Sequence, residues 1–464
     1  MPGAQGGRHS AAQRLEPVGF WTIVRARLAA AHGRHVRRIR SSLAAALVCS
    51  ACGVLHAQEL DSPLVAASLL EALRDGELLF ELRPRYTWVD QDGRPEEARW
   101  GSLRTRLGWK TLEYRGLSAV IEGINVARFG ESGAIDYDDT PGLGPGSAVA
   151  LYGAGYYPLV ADEPTMDFNR LYLDYVGVPH TLIRAGRQLV RIDNQRFVGD
   201  YDFAQLPQAF DGLLVENASL SQVRLIAGYF ARVRNAFAER TDTDTVIVNA
   251  RYEPWSLIKV AGYAYLQDQP YTGSATGFAD SSNQILGGRL WGGWSVTDAL
   301  ELLYSAELAE QRDYADGDPR IDAPYRRVGA GVNAGVAAKR GYLKIERELL
   351  GSNEGLYGFQ TPLGSTQLFT GRADIFATTP ARGLEDRRAQ IGIQVSHAAL
   401  HLEYHRFRSD FREWDLGTEW DFGFAWAFTS RLSAGVEYAD YRAGDPRAAL
   451  ADTRKVWLTI GYRH

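Results

Sequence analysis

Residues 419–428 read Glu-Trp-Asp-Phe-Gly-Phe-Ala-Trp-Ala-Phe, so an aromatic ring stands at every second position from Trp420 to Phe428. Successive side chains of an extended strand point to opposite faces, and these rings therefore share one face. A soluble β-sandwich is roughly 10 Å thick and cannot bury such a face on repeated strands. The stretch therefore predicts a transmembrane β-strand whose rings face lipid and whose acidic and small residues face a lumen.

The same alternation recurs along most of the chain after residue 77. Such segments are predicted as eighteen strands, at 78–89, 99–110, 116–128, 168–177, 181–191, 208–217, 222–233, 243–253, 256–266, 283–293, 299–310, 326–337, 340–350, 387–396, 399–408, 416–428, 431–441 and 454–463. The predicted fold is all-β: a transmembrane antiparallel β-barrel of about 18 strands in residues 78–464. Such a barrel belongs in the outer membrane of a Gram-negative bacterium, in contact with lipid and lipopolysaccharide.

The predicted connections alternate in length. Short turns, such as 177–180, 254–255, 339–340 and 429–430, alternate with the long segments 129–167, 192–207, 267–282, 311–325 and 351–386. Outer-membrane barrels place short turns in the periplasm and long loops outside, and an even strand count puts both termini in the periplasm. A barrel of this size keeps an aqueous lumen unless loops or a plug fill it.

The first 57 residues have the features of a secretory signal peptide. Eight arginines precede a short apolar run at 43–55, and a small residue, Ala57, marks the predicted cleavage site. Residues 58–77 are predicted to form a short periplasmic or lumenal helix. Ser62 suits its N-cap, Pro63 its first position and Gly76 its end.

Composition and charge exclude several classes of protein. The 13-residue apolar run is shorter than the roughly 20 residues of a membrane-spanning helix. Both cysteines, Cys49 and Cys52, fall inside the signal, which excludes a disulfide scaffold. After cleavage the chain would keep 43 basic and 55 acidic residues, a net charge of −12. A nucleic-acid partner is therefore not expected, because such proteins carry the opposite sign.

The end of the chain, residues 456–464, alternates apolar and polar residues with Tyr462 near the terminus. Such a strand resembles the signal read by the barrel insertion machinery of the outer membrane, which is expected to be a partner. That signal usually ends in Phe or Trp, whereas this chain ends in His464.

An ordered set of segments resembles the alginate-export family of outer-membrane barrels. The segments are 86–93, 103–108, 157–162, 186–188, 194–199, 210–212, 216–217, 359–363, 373–376 and 378–380. The resemblance covers most of residues 78–464. It implies an eighteen-stranded barrel, periplasmic export components as possible partners, and a polyanion that passes through an arginine-rich constriction.

Fourteen residues are predicted to line the pore and contact its solute. They are Arg83, Arg85, Arg104, Arg106, Arg170, Asp174, Arg184, Arg187, Arg196, Glu216, Arg224, Arg251, Lys259 and Arg289. Guanidinium groups bind carboxylates bidentately, so arginines in a lumen favour acidic solutes. The predicted function is a porin or export channel that passes a hydrophilic solute or an anionic, alginate-like polysaccharide by passive diffusion. A solvated lumen of paired charges would show the same residues.

Two other functions compete with this prediction. The long segments 129–167 and 351–386 could close the pore, leaving a plugged barrel that acts through its surface loops or as a structural protein. An outer-membrane enzyme is not expected, because no nucleophile motif is present. Neither a cofactor nor a metal is predicted. His401, Glu403 and His405 share one strand face, but at ~3.3 Å per residue they span roughly 13 Å, too far for one ion.

Overall fold

The computed structural model describes residues 65–129, 157–160, 162, 164–269, 280–336 and 339–464. The predicted signal peptide, Ser62, Pro63 and most of segment 129–167 lie outside this part of the chain. Within it, no helix is long and apolar enough to cross a membrane.

Eighteen antiparallel strands form one closed sheet, so the predicted fold is confirmed. The barrel strands are β1 (Glu77–Gln91), β2 (Ala98–Lys110), β3 (Leu117–Phe129), β4 (Thr165–Tyr175), β5 (Thr181–Gln188), β6 (Ala209–Asn217), β7 (Val223–Arg234), β8 (Arg240–Tyr252), β9 (Lys259–Asp268), β10 (Asn283–Thr297), β11 (Leu300–Asp313), β12 (Asp322–Val336), β13 (Lys339–Leu350), β16 (Leu384–Val395), β17 (Ala398–Arg408), β18 (Asp415–Ala427), β19 (Leu432–Arg442) and β20 (Thr453–Arg463). A short hairpin, β14 (Ser352–Asn353) and β15 (Tyr357–Gly358), lies in the loop after β13. Pairing of β1 with β20 closes the barrel.

The two rims of the barrel differ in loop length. At one rim the turns are short, as at 298–299 and 396–397, and at the other the loops 189–208 and 351–383 are long. The predicted turn at 339–340 is displaced, because Lys339 and Arg340 already belong to β13. The strand predicted at 181–191 ends at Gln188, where the chain leaves the wall. The short-turn rim corresponds to the periplasmic side of an outer-membrane barrel.

The barrel wall has apolar side chains on its outside and charged side chains on its inside, the reverse of a soluble protein. On the outer face apolar side chains such as Leu107 and Ile345 are exposed, by 58% and 60%. On the inner face charged side chains such as Arg104 and Glu122 are almost completely buried. This is the arrangement expected when lipid replaces water outside and polar groups satisfy one another inside.

A charge on the lipid face should destabilise the barrel according to its depth. Ile345 lies in the middle of β13, and we expect Ile345→Arg to cost about 2–4 kcal/mol of unfolding free energy in a bilayer. Leu432, the first residue of β19, lies beside the short turn, and Leu432→Arg should cost about 0–1 kcal/mol. Urea unfolding in liposomes measures both, and equal costs would contradict the proposed placement of the bilayer.

A short helix, α1 (Leu69–Arg74), precedes the barrel. The predicted N-cap, Ser62, lies outside the described residues, and the N-cap of α1 is Ser68. Its Oγ accepts a hydrogen bond from the Glu71 amide at 3.1 Å, and Glu71 Oε2 accepts one from the Ala67 amide at 2.8 Å. These two hydrogen bonds cap the start of α1 in an arrangement similar to a capping box. The Trp109 indole donates to the Leu73 carbonyl at 2.9 Å, which holds the helix at the short-turn rim.

Candidate functional site

Two loops from the long-loop rim fold into the lumen and pack on each other. We call residues 189–208 and 359–380 together the lumenal block. The Gly199 amide donates to the Leu363 carbonyl at 2.8 Å, and the Ser365 amide donates to the Gln195 carbonyl at 3.0 Å. The two loops therefore form one unit.

Aromatic side chains of the wall enclose one side of the lumenal block. The ring of Phe197 lies 5.4 Å from Tyr263, 5.0 Å from Tyr325 and 5.8 Å from Phe359, measured between ring centroids. Tyr263 and Tyr325 project inward from β9 and β12. The lumen therefore contains a hydrophobic core of its own, which holds the block against one wall.

Buried charges fasten the block to the neighbouring strands β13 and β16. Arg196 Nε donates to Glu348 Oε1 at 2.8 Å, and the guanidinium lies 4.9 Å above the ring of Phe369. The Arg196 side chain is 1% exposed and that of Glu348 5%. Arg388 donates to the Leu368 carbonyl at 2.9 Å. Arg196 was predicted to line the pore, and the structure places it between the block and β13.

Arginines of β1 hold the first loop of the block by its backbone. Arg83 donates to Gln205 Oε1 at 2.8 Å and to the Asp202 carbonyl at 2.9 Å. Arg85 donates to the Phe203 carbonyl at 2.8 Å. Both side chains alternate with outward apolar residues, which is why they face the loop.

Arg104 and Arg106 of β2 also hold the first loop of the block, by ion pairs with the carboxylate of Asp202. Arg104 lies 2.7 Å from Glu81 Oε1 and 3.0 Å from Asp202 Oδ1, and Arg106 lies 2.7 Å from the same Asp202 oxygen. Burial alone would raise the pKa of Asp202, but the nearby guanidinium groups of Arg104 and Arg106 hold that pKa well below its usual range. Asp202 therefore stays ionised between them.

The arginines outnumber the acids at this contact. We call this set the guanidinium cluster: Arg83, Arg85, Arg104, Arg106, Arg191 and Arg463 with Glu81, Asp162, Asp200 and Asp202. Six guanidinium groups face four carboxylates. The Arg191 and Arg463 side chains are 48% and 65% exposed. Arg463 ends β20 at the short-turn rim.

The other predicted residues form pairs along the wall. Hydrogen bonds of 2.7 Å join Arg184 to Asp174 and Arg224 to Glu216. Arg187 donates to Asp211 at 2.6 Å. Arg170 pairs with Glu122, and Arg251 pairs with Glu253. Arg289 lies 4.9 Å over the Trp291 ring, and Lys259, opposite Trp291 in register, is half-buried. Apart from Lys259 and Arg289, the structure thus divides the fourteen residues between the guanidinium cluster, the block anchor Arg196 and ion pairs along the wall.

A cavity of about 530 Å³ lies beside the block toward the long-loop rim. Its lining includes Arg85 and Lys455 from the wall and Tyr201 and Asp374 from the block. The Tyr201 hydroxyl donates to Asp374 Oδ2 at 2.6 Å, and burial raises the pKa of Asp374. The cavity is therefore lined by both cationic and hydroxyl groups.

Sequence reasoning missed the acids that hold the block, above all Asp202, Glu348 and Asp374. Asp202 and Asp374 lie in loops, where no periodic pattern assigns a direction to a side chain. Glu348 lies on the inward face of β13 and could have been found from the alternation of that strand.

The fold is similar to those of solved outer-membrane barrels. The outer membrane protein OpdK of Pseudomonas aeruginosa, solved with vanillate, has a TM-score of 0.59 at 15% identity, covering 84% of this chain and 98% of that one. OccK9 (OpdG) of the same organism has a TM-score of 0.61 at 14% identity, covering 85% and 100%. OccAB4 of Acinetobacter baumannii has a TM-score of 0.59 at 13% identity, covering 84% and 98%.

No curated protein sequence matches the chain. A family model described as alginate export does match, over residues 145–454. This match spans well over half of the chain, and the closed barrel with its inward loops agrees with it. The chain therefore belongs to the alginate export family of outer-membrane β-barrels.

Proposed function

We propose that this outer-membrane channel passes an acidic polysaccharide of the alginate type, by diffusion, from the periplasm to the exterior. The guanidinium cluster supports the proposal. It carries more guanidinium groups than carboxylates, and one of its exposed arginines, Arg463, lies at the short-turn rim. Periplasmic export components would deliver the polymer to this side.

Physical chemistry links this cluster to a polyanion. A guanidinium is a planar fork that matches a uronate carboxylate, and Arg191 and Arg463 keep part of theirs exposed beside Asp200 and Glu81. The low-dielectric wall around them focuses their field into the lumen, which raises the local concentration of anions. Arg104 and Arg106, held between Glu81 and Asp202, supply positive charge behind them but are not free to move. The exposed arginines would act as the entrance and the buried ones as fixed support.

Removal of the exposed charges should reduce anion selectivity. In a planar bilayer under a KCl gradient, we expect the wild-type channel to be anion-selective. We expect Arg191→Gln with Arg463→Gln to lower the anion-to-cation permeability ratio at least about twofold. The two positive charges attract anions that pass within about a Debye length of them, and the variant lacks this attraction. Arg312→Gln serves as the control, since Arg312 lies at the long-loop end of β11 with 61% of its side chain exposed.

Soluble polyuronate then tests the solute. Added on the short-turn side, it should block the wild-type current more strongly than when added on the opposite side, and the double variant should lose this asymmetry. Cation-selective conductance, or equal block from both sides, would contradict the proposed solute while leaving a channel.

A plugged barrel is the second candidate function, because the lumenal block has a packed aromatic core and buried ion-pair anchors. In that case the surface loops would bind a partner and the folded barrel would show no conductance. Heat-modifiable migration on a gel would establish that the tested barrel is folded.

A further inference from the structure

Four residues with metal-binding side chains form a square on the inward face of two neighbouring strands. Glu403 and His405 lie on β17, and Glu419 and Asp421 lie on β18. In the register of the sheet Glu403 lies opposite Asp421, and His405 lies opposite Glu419. Side chains directly opposite each other have Cβ atoms roughly 4.5–5.5 Å apart. The sheet thus brings together groups that a single strand would hold too far apart.

The ligand atoms of three of these residues point at one place. His405 Nε2 lies 3.6 Å from Glu403 Oε2 and 3.6 Å from Asp421 Oδ2. One atom from each of Glu403, His405 and Asp421 can be chosen so that all lie within 4.8 Å of one another. Two ligands at roughly 2.1 Å from a tetrahedral zinc ion are about 3.4 Å apart. The observed separations are close to that value and too long for hydrogen bonds.

Asp386 sets the orientation of the His405 ring. Its Nδ1 lies 2.8 Å from Asp386 Oδ2 of β16, so the ring can donate there and turn Nε2 toward Glu403 and Asp421. The His405 side chain is 1% exposed, and among the described residues Nε2 has no hydrogen-bond partner. In metal sites, a histidine ligand commonly donates through one ring nitrogen to a carboxylate and binds the metal through the other. His405 has this arrangement, with Nε2 facing the carboxylates of Glu403 and Asp421.

The charge of the surroundings favours a cation. Asp386, Glu403, Glu419 and Asp421 are all buried on this patch of wall. The Arg388 guanidinium lies 4.0 Å from Glu403 and is shared with Glu346, while Arg372 also acts on Glu403 and Lys455 on Glu419. Buried carboxylates so close together repel one another unless a cation lies between them. Protonation of His405 would supply one charge, and a divalent ion would supply two.

The same carboxylates hold the lumenal block. Glu419 Oε1 accepts a hydrogen bond from the Ala373 amide at 2.6 Å, and Asp421 Oδ2 accepts one from the Arg372 amide at 3.1 Å. An ion bound by Asp421 would therefore fix the acceptor to which the block is attached. The mixed nitrogen and oxygen ligands suit a first-row divalent ion better than Ca²⁺.

From this geometry we propose that Glu403, His405 and Asp421 bind one divalent transition-metal ion of the Zn²⁺ type, with Glu419 beside them and Asp386 orienting the histidine. The ion fastens residues 371–373 of the lumenal block to β17 and β18. The proposal does not depend on which solute the barrel passes.

The test uses the full chain, refolded in detergent, freed of metal with a chelator and then exposed to Zn²⁺ or Co²⁺. After gel filtration, elemental analysis should find one Zn²⁺ per barrel in the wild type. His405→Gln and Asp421→Asn should each lower retention at least tenfold. His401→Gln is the matched control, because His401 lies on the same face of β17 but contacts Glu437 at 3.3 Å. That variant should retain the ion.

Cobalt provides a readout that does not require the variants to fold. Wild-type barrel loaded with Co²⁺ should show visible d–d absorption, and added Zn²⁺ should remove it. Retention of less than a tenth of an ion by the folded wild type, or equal retention by His405→Gln and His401→Gln, would overturn the proposal.

Discussion

Deletion of residues 366–376 should increase the single-channel conductance severalfold, because it removes part of an inward loop that fills the lumen. These residues carry Ala373 and Phe376, which lie inside the barrel and are almost fully buried. The wall should persist without them, because its eighteen strands hold one another through continuous ladders. Current recordings of the refolded deletion variant in a planar bilayer measure the effect.

A deletion of 315–319 is the control for shortening a loop. It removes residues between β11 and β12 at the same rim, outside the lumenal block. We expect it to leave the conductance near that of the wild type. If the 366–376 deletion also left the conductance unchanged, this part of the lumenal block would not limit the current, and the prediction would be wrong.

Arg196→Met should produce the largest loss of stability among single substitutions in the lumen. The change leaves the Glu348 carboxylate buried with the Tyr325 hydroxyl, 2.6 Å away, but without its guanidinium. Breaking a buried ion pair on one side costs about 3–5 kcal/mol. Urea unfolding, followed by tryptophan fluorescence such as that of Trp457, which packs on Phe203 of the block, should show that loss.

The double variant Arg196→Met/Glu348→Leu should recover most of this stability, because replacement of both partners removes the unpaired charge. Arg447→Met is the control: Arg447 pairs with Asp445 in an exposed loop, and its loss should not be measurable. A double variant as unstable as the single one would show that the packing of Arg196 on Phe369, rather than its charge, stabilises the block.

The wall could be predicted from the sequence because one local rule governs it. Every strand alternates lipid-facing and inward residues, so Arg83 and Arg85 were placed inward from the pattern of β1 alone. Family membership was predicted from an ordered set of segments, and the family match confirms it. The course of 189–208 and 359–380 inside the lumen was not predictable in detail, since their partners are far away in the chain.

The square around His405 illustrates why distant contacts escaped prediction. Along β17 alone, His401, Glu403 and His405 are too far apart for one ion, and that conclusion holds for a single strand. The register that sets Asp421 opposite Glu403 depends on the connection at 409–414 and on a bulge in the ladder between Phe407 and Arg408. Sequence periodicity gives the face of each residue but not its neighbour on the next strand.

Closure of the sheet constrains the order in which this chain can fold. Arg463 of β20 meets Glu81 of β1 across 382 positions, and the guanidinium cluster needs residues from both strands. Until residues 453–463 are in place, β1 has an unpaired edge that could capture another chain. Contacts between such distant segments form slowly, because a long loop must first close. The unfolded chain therefore needs protection in transit, and the lumen acquires its final charge arrangement only when the last strand arrives.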